Sequence, residues 1–154
     1  MNDAFFLRPA RTDDLPRIAS IESAVFATPY SEDALSSMMS TSYHRVIVLV
    51  DQNDVVVGYL LGTSIPPEGE LMRVAVTPNR RRMGGGAKLI RAFLDKLSEE
   101  GNTVCFLDVR ESNLPAQSLY ASFGFQAVGR RAAYYRLPTE DAIEMSCPLS
   151  PHRL

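Results

Sequence analysis

The stretch Val74-Ala75-Val76-Thr77-Pro78-Asn79-Arg80-Arg81-Arg82-Met83-Gly84-Gly85-Gly86-Ala87-Lys88-Leu89-Ile90 decides how this chain folds. A run with strand character stops at a proline. Three arginines and three glycines follow, and an amphipathic helix begins. Glycine lets a backbone turn sharply and come close to a ligand. The first N–H groups of a helix lack intrahelical partners and lie at the positive end of its dipole. Strand, glycine turn and helix start together make a phosphate cradle. Two familiar phosphate loops do not fit. No Lys-Ser or Lys-Thr pair follows the glycines, so this is not a P-loop. The glycine spacing is wrong for a dinucleotide fingerprint, and there is no clear βαβ unit with an acidic residue at the end of the next strand. A pyrophosphate-type ligand bound without a catalytic metal is left, and coenzyme A answers that description. A purely structural glycine turn beside a solvated arginine run is the bland alternative.

Working outward, Phe5 to Arg8 reads as a first strand. Thr12 is placed to cap a helix, with Asp13 and Asp14 in its first turn. Leu15, Ile18, Ile21 and Val25 follow at helical spacing. Pro29-Tyr30-Ser31 ends that helix and caps a second, whose Leu35, Met38 and Met39 face inward. His44 to Asp51 and Val55 to Ser64 form a hairpin around Gln52-Asn53-Asp54. Ile65 to Gly69, with two prolines, reads as a loop, and Glu70 to Val76 as the fourth strand. Gly86 to Glu100 is the main helix, with a stripe of Leu89, Ile90, Phe93, Leu94 and Leu97, closed by Gly101. Thr103 to Val109 is a fifth strand. Ser112 and Asn113 cap a helix from Leu114 to Ser122, and strands over Phe125 to Arg131 and Asp141 to Cys147 complete the chain. This order predicts one twisted, mostly antiparallel α/β sheet of about seven strands flanked by about four helices.

Composition narrows the classes. The 154 residues suffice for one domain over 1–154. Net charge is −2, so no general attraction to nucleic acid or to an anionic membrane is expected. No run approaches the length of a membrane span. The start Met1-Asn2-Asp3-Ala4-Phe5-Phe6 has no signal-peptide pattern, and a cytoplasmic protein is expected. Cys105 and Cys147 lack metal spacing and read as buried thiols. His44 and His152 are isolated, and no metal site is expected.

Two segments then carry a family resemblance. Arg81-x-x-Gly84-x-Gly86 after a strand resembles the acyl-CoA pyrophosphate loop of the GCN5-related N-acetyltransferases. The stretch from Asp108-Val109-Arg110-Glu111-Ser112-Asn113 through Tyr120 to Phe123-Gly124-Phe125 is similar to the second signature of that superfamily. Within it, Pro29-Tyr30-Ser31, Val-Arg-x-Ser-Asn, Arg130-Arg131 before Tyr134-Tyr135, and Glu140-Asp141-Ala142 leading to Met145 resemble the ribosomal-protein-alanine N-acetyltransferases, the RimI type. The resemblance spans nearly the whole chain. It implies acetyl-CoA held where the fourth and fifth strands splay apart, and a protein N-terminus as acceptor, namely that of small-subunit ribosomal protein eighteen.

The resemblance also implies roles. Val74, Ala75 and Val76 would offer backbone groups to the pantetheine, while Arg81, Arg82, Met83, Gly84, Gly85, Gly86 and Ala87 surround the pyrophosphate and Asn113 bonds the cofactor. Tyr120 would be the general acid and Asp108, where the family usually has Glu, the base. Tyr30, Glu70, Tyr134 and Tyr135 would meet the acceptor, with Glu70 a rival base. Structural roles compete: a core tyrosine, a helix cap at Asn113, and an Asp108–Arg110 pair. An α-amine ionises near 7.7–8.0 and a lysine near 10.4, so roughly a tenth of α-amines are already neutral at pH 7. A short Asp working through water suits the α-amine. Acetylation of a free small amine or polyamine, and a non-catalytic acyl-CoA-binding module, are the alternatives.

Overall fold

The computed structural model describes residues 4–150. Met1 to Asp3 and His152 lie outside them. Seven strands form one sheet in the order β1-β2-β3-β4-β5-β7-β6. They are β1 (Phe6–Pro9), β2 (His44–Val50), β3 (Val56–Ile65), β4 (Glu68–Val76), β5 (Val104–Arg110), β6 (Gln126–Tyr135) and β7 (Glu140–Pro148). Only β4 and β5 pair in parallel. Four helices accompany them: α1 (Leu15–Val25), α2 (Glu32–Met39), α3 (Gly85–Glu99) and α4 (Leu114–Ser122). No helix among the described residues is long and apolar enough to cross a membrane.

The sheet buries a different helix pair on each face. The apolar stripe of α3, from Leu89 to Leu97, and Tyr120 of α4 pack with Leu60, Leu71, Leu107 and Met145 on one side. Leu15, Ile18 and Ile21 of α1 and Leu35 of α2 pack with Val48, Tyr59, Leu61 and Ala75 on the other. Each fully buried side chain of this size contributes about 1.5–3 kcal/mol over an exposed one. The α1 and α2 cluster reaches only as far as β4. Beyond it, Phe106, Asp108, Glu144 and Arg131 line a pocket on the outer half of the sheet.

Three expectations need correction. Thr12 does not cap a helix. Asp14 spends its carboxylate on Arg8, at 2.7 and 3.0 Å, and on the Arg11 N–H at 2.7 Å. Thr12–Asp14 therefore closes as a 3-10 turn, and α1 starts at Leu15. The supposed loop over Ile65 to Gly69 shrinks to Pro66 and Pro67, with Ile65 already paired to Glu68. Prolines sit well in the turn itself, where no ladder N–H is needed. Finally, β6 runs on to Tyr135 and is exposed almost throughout. An edge strand of this kind has no alternation of burial to mark its end. Ser31 and Asn113 cap their helices as expected, accepting from Ala34 and Ala116 at 3.0 and 3.2 Å.

The feature that positions the site lies on β4. Leu61 faces Arg73 while Gly62 faces Leu71, so Met72 is an extra residue, a β-bulge. Both Leu71 and Val74 thereby stay with the α3 side. The pairing of β4 with β5 covers only Glu68–Glu70 against Val104–Phe106. Past that point β4 keeps β3, β5 keeps β7, and the two strands part.

Gly62 sits opposite this bulge because nothing larger fits. A Cβ there would lie 2.6 Å from the Glu70 carbonyl oxygen and collide with the Phe93 ring. Gly62→Ala should cost about 1–3 kcal/mol through overpacking. Urea unfolding should show a lower midpoint with an unchanged slope. A midpoint equal to that of the parent would refute this account of the bulge.

Candidate functional site

The gap between β4 and β5 is a cleft of about 750 Å³, closed by the start of α3, by α4, by the α1–α2 connection and by the β6–β7 turn. All the residues expected to hold a cofactor line it except Met83, which is exposed. The glycines divide the work. Gly84 has φ +82°, a conformation L side chains rarely adopt, and it caps α3. Gly85 is packed against Leu49, at 2.5 Å from its Cδ2 to a Cβ built there. Gly86 faces open space. The first bond into α3 is from the Lys88 N–H to the Gly84 oxygen, at 3.1 Å. The N–H groups of Gly85, Gly86 and Ala87 therefore have no helical acceptor.

The arginines also differ. Arg80 pairs with Asp51 at 3.4 Å, and Arg81 donates to the Val76 carbonyl at 3.1 Å, bracing the loop against its own strand. Arg82 has φ +65° and makes no ion pair among the described residues. The run read as one charge cluster thus contains two structural braces and one free cation at the cleft.

Tyr120 is buried, its ring edge-on to Phe125 at 5.8 Å. Its hydroxyl makes no hydrogen bond among the described residues, and burial pushes its pKa up to about 12. Asp108 lines both this cleft and a neighbouring pocket of about 420 Å³ that holds Glu70, Arg131 and Glu144. It pairs with Arg131 at 3.1 Å, not with Arg110. Arg131 also reaches Glu144 at 2.8 Å. Such half-exposed pairs add about 0–1 kcal/mol to stability, so their consequence is where the Asp108 carboxylate sits. Loss of solvent at the pocket mouth raises the Glu70 pKa, and Asp108 adds to this while Arg131 offsets it.

Two connections wall the cleft. Arg110 fastens the β6–β7 turn, donating to the carbonyls of Arg136 and Pro138 at 2.8 and 3.0 Å and lying 4.6 Å over Tyr135. Tyr135 lines the cleft, and burial first, then Asp108, pushes its pKa up to about 12. Tyr134 is exposed and stands edge-on to Tyr135 at 5.1 Å. Burial and then the charges of Asp108 and Glu70 raise its pKa. Tyr30 lies beneath Arg73, beside the cleft and not among its lining residues. Sequence reasoning missed the structural parts of Arg73, Arg110 and Arg131. An arginine on an exposed strand face carries no pattern that distinguishes a brace from a solvated charge.

The acetyltransferase (GNAT) family model matches residues 15–125. The chain is 34% identical over 143 residues, 90% of its length and 94% of the relative's, to the ribosomal protein bS18-alanine N-acetyltransferase of Escherichia coli. It is 30% identical over 139 residues, 88% and 93% of the two chains, to the protein of the same name in Haemophilus influenzae. The crystal structure of the ribosomal-protein-S18-alanine N-acetyltransferase from Escherichia coli superposes with a TM-score of 0.89 at 30% identity, covering 97% of both chains. The Ard1 structure from Thermoplasma volcanium shares the fold, with a TM-score of 0.86 at 24% identity over 96% of this chain and 99% of that one. The family model covers most of the chain and the relatives match it over nearly its full length, so this chain belongs to the GNAT acetyltransferase family.

Proposed function

We propose that this chain, as a single domain acting in the cytoplasm, transfers the acetyl group of acetyl-CoA to the N-terminal α-amine of a protein. The acceptor we propose is the N-terminal alanine of small-subunit ribosomal protein eighteen. One observation carries the reading. The cleft between β4 and β5 is lined by unpaired helix N–H groups and Arg82, and also by Tyr120 and Asp108. The acceptor follows from the relatives' activity, because similarity extends over nearly the full length of both chains.

The residues fit the cofactor. Free N–H groups at Gly85 to Ala87 and the Arg82 guanidinium meet a pyrophosphate at the positive end of α3. Past Glu70, β4 has lost β5 as a partner, so Val74, Ala75 and Val76 present an edge to which an extended amide-bearing chain can pair. Asn113 uses its oxygen to cap α4, leaving its amide nitrogen for the ligand. Bound acetyl-CoA supplies an activated acetyl thioester. Asp108 takes the proton of the incoming ammonium, directly or through one water, because it faces the cleft and the acceptor pocket alike. Glu70 stands in that pocket as a second acceptor of protons. Tyr120 holds a proton at any working pH, its pKa being raised to about 12, and gives it to the departing sulfur. An α-amine needs little help to lose its proton, which matches the short reach of an aspartate.

Tyr120→Phe should lower turnover by about 100-fold or more, with acetyl-CoA affinity by calorimetry within about twofold of the parent. Alkaline titration of tyrosinate absorbance should lose one phenol that ionises well above the ordinary value near 10. If turnover survives with chemistry rate-limiting, Tyr120 is not the acid.

With a peptide panel, Ala- or Ser-initiated peptides should exceed internal lysine and free polyamines by at least about tenfold in kcat/KM, equal to about 1.4 kcal/mol. Equal rates on polyamines would point to a small-amine enzyme, and cofactor binding without any turnover to a binding module. Asp108→Ala should slow the reaction and move its optimum to higher pH, since the amine must then lose its proton unaided.

A further inference from the structure

The α1–α2 connection forms one wall of the cleft through Val25 to Thr28. Among the described residues, Ala27 to Tyr30 make only two hydrogen bonds. The Thr28 carbonyl accepts from Arg73 at 2.9 Å, and the Tyr30 N–H donates to Glu22 at 2.9 Å. Both partners belong to one cluster. Glu22, on α1, is fully buried, and Tyr59 of β3 donates its hydroxyl to the other carboxylate oxygen. Arg73, on β4 just past the bulge, lies 3.2 Å from Glu22. Its guanidinium sits 4.2 Å over the Phe26 ring and 4.5 Å over the Tyr30 ring.

We infer that Arg73 is a positioning residue for the acceptor, clamping the α1–α2 connection to β4 and so fixing the cleft wall from Val25 to Thr28 together with Tyr30, the side chain the proposed function sets against the protein N-terminus. This inference rests on the function proposed above. The guanidinium performs three tasks that only a planar, multi-donor cation combines: it balances a buried carboxylate, caps a carbonyl and lies against two rings. Burial raises the Glu22 pKa, and the Tyr30 N–H and then the Arg73 charge pull it back in part. The bulge at Met72 is what allows the clamp. It puts Arg73 and Ala75 on the α1 side while Leu71 and Val74 stay with α3. The same strand therefore lines the cleft and holds the connection that walls it.

Arg73→Lys separates the clamp from simple ion pairing. A lysine still offers a cation to Glu22 but not the carbonyl bond and the two ring contacts together. In this variant, amide exchange across residues 27–31 should quicken at least about tenfold while the β2 and β3 core is unaffected. The KM for an Ala-initiated peptide should rise at least about tenfold, with kcat within about threefold. Acetyl-CoA affinity by calorimetry should stay within about threefold of the parent. Arg73→Gln should do the same and also lower stability, since it leaves Glu22 buried without a cation; the lysine variant decides the matter if the glutamine variant does not fold. Unchanged exchange in Arg73→Lys overturns the clamp. Faster exchange with an unchanged peptide KM overturns its role toward the acceptor. A parent that acetylates no peptide overturns the proposed function and this role with it, whereas the exchange data judge the clamp by themselves.

Discussion

The separation of β4 from β5 is the constraint on which the rest of this structure depends. The two strands pair over three residues and then each follows another partner. Backbone N–H and C=O groups demand partners wherever water is scarce. A sheet that opens in its middle therefore creates a polar-lined slot inside an apolar frame. The frame is held open from both sides. The fully buried Leu89, Phe93 and Leu97 of α3 fix β4 and its neighbours on one face, and Tyr120 and Phe125 wedge the β5 side.

That opening organises the charges around it. Asp108 belongs to both the cleft and the adjoining pocket, so a group there acts across the boundary between donor and acceptor. Arg131 ties Asp108 and Glu144 together from the edge strand, and Glu70 stands on the last residue of β4 that still pairs with β5. Two arginines on the facing strands, Arg73 and Arg110, each secure a connecting segment that lacks a ladder of its own. The walls of the slot are loops by secondary structure, but guanidinium groups rooted in the sheet hold them. Loops of this kind carry function because a rigid scaffold positions them.

The chain's own chemistry determined much of this. The periodic apolar stripe at Leu89, Ile90, Phe93, Leu94 and Leu97 can be buried only as a helix. The caps at Ser31 and Asn113 and the glycines at 84, 101 and 124 mark ends that follow from local hydrogen bonding and φ angles. The cradle after Val76 and the stretch from Asp108 to Phe125 are likewise local, because their residues act within a turn or two of one another. What only the tertiary structure decided involves residues far apart in the chain. Asp108 meets Arg131 instead of Arg110, since β7 brings β6 alongside and sends the Arg110 side chain toward the β6–β7 turn. Asp14 closes a 3-10 turn and pairs with Arg8, which arrives from β1. Glu22, Tyr59 and Arg73 come from three elements and share one buried site. Each of these depends on the strand order, and the Arg73 site depends also on the bulge at Met72. A period-two pattern cannot announce an inserted residue, because the bulge shows only when the partner strand is in place.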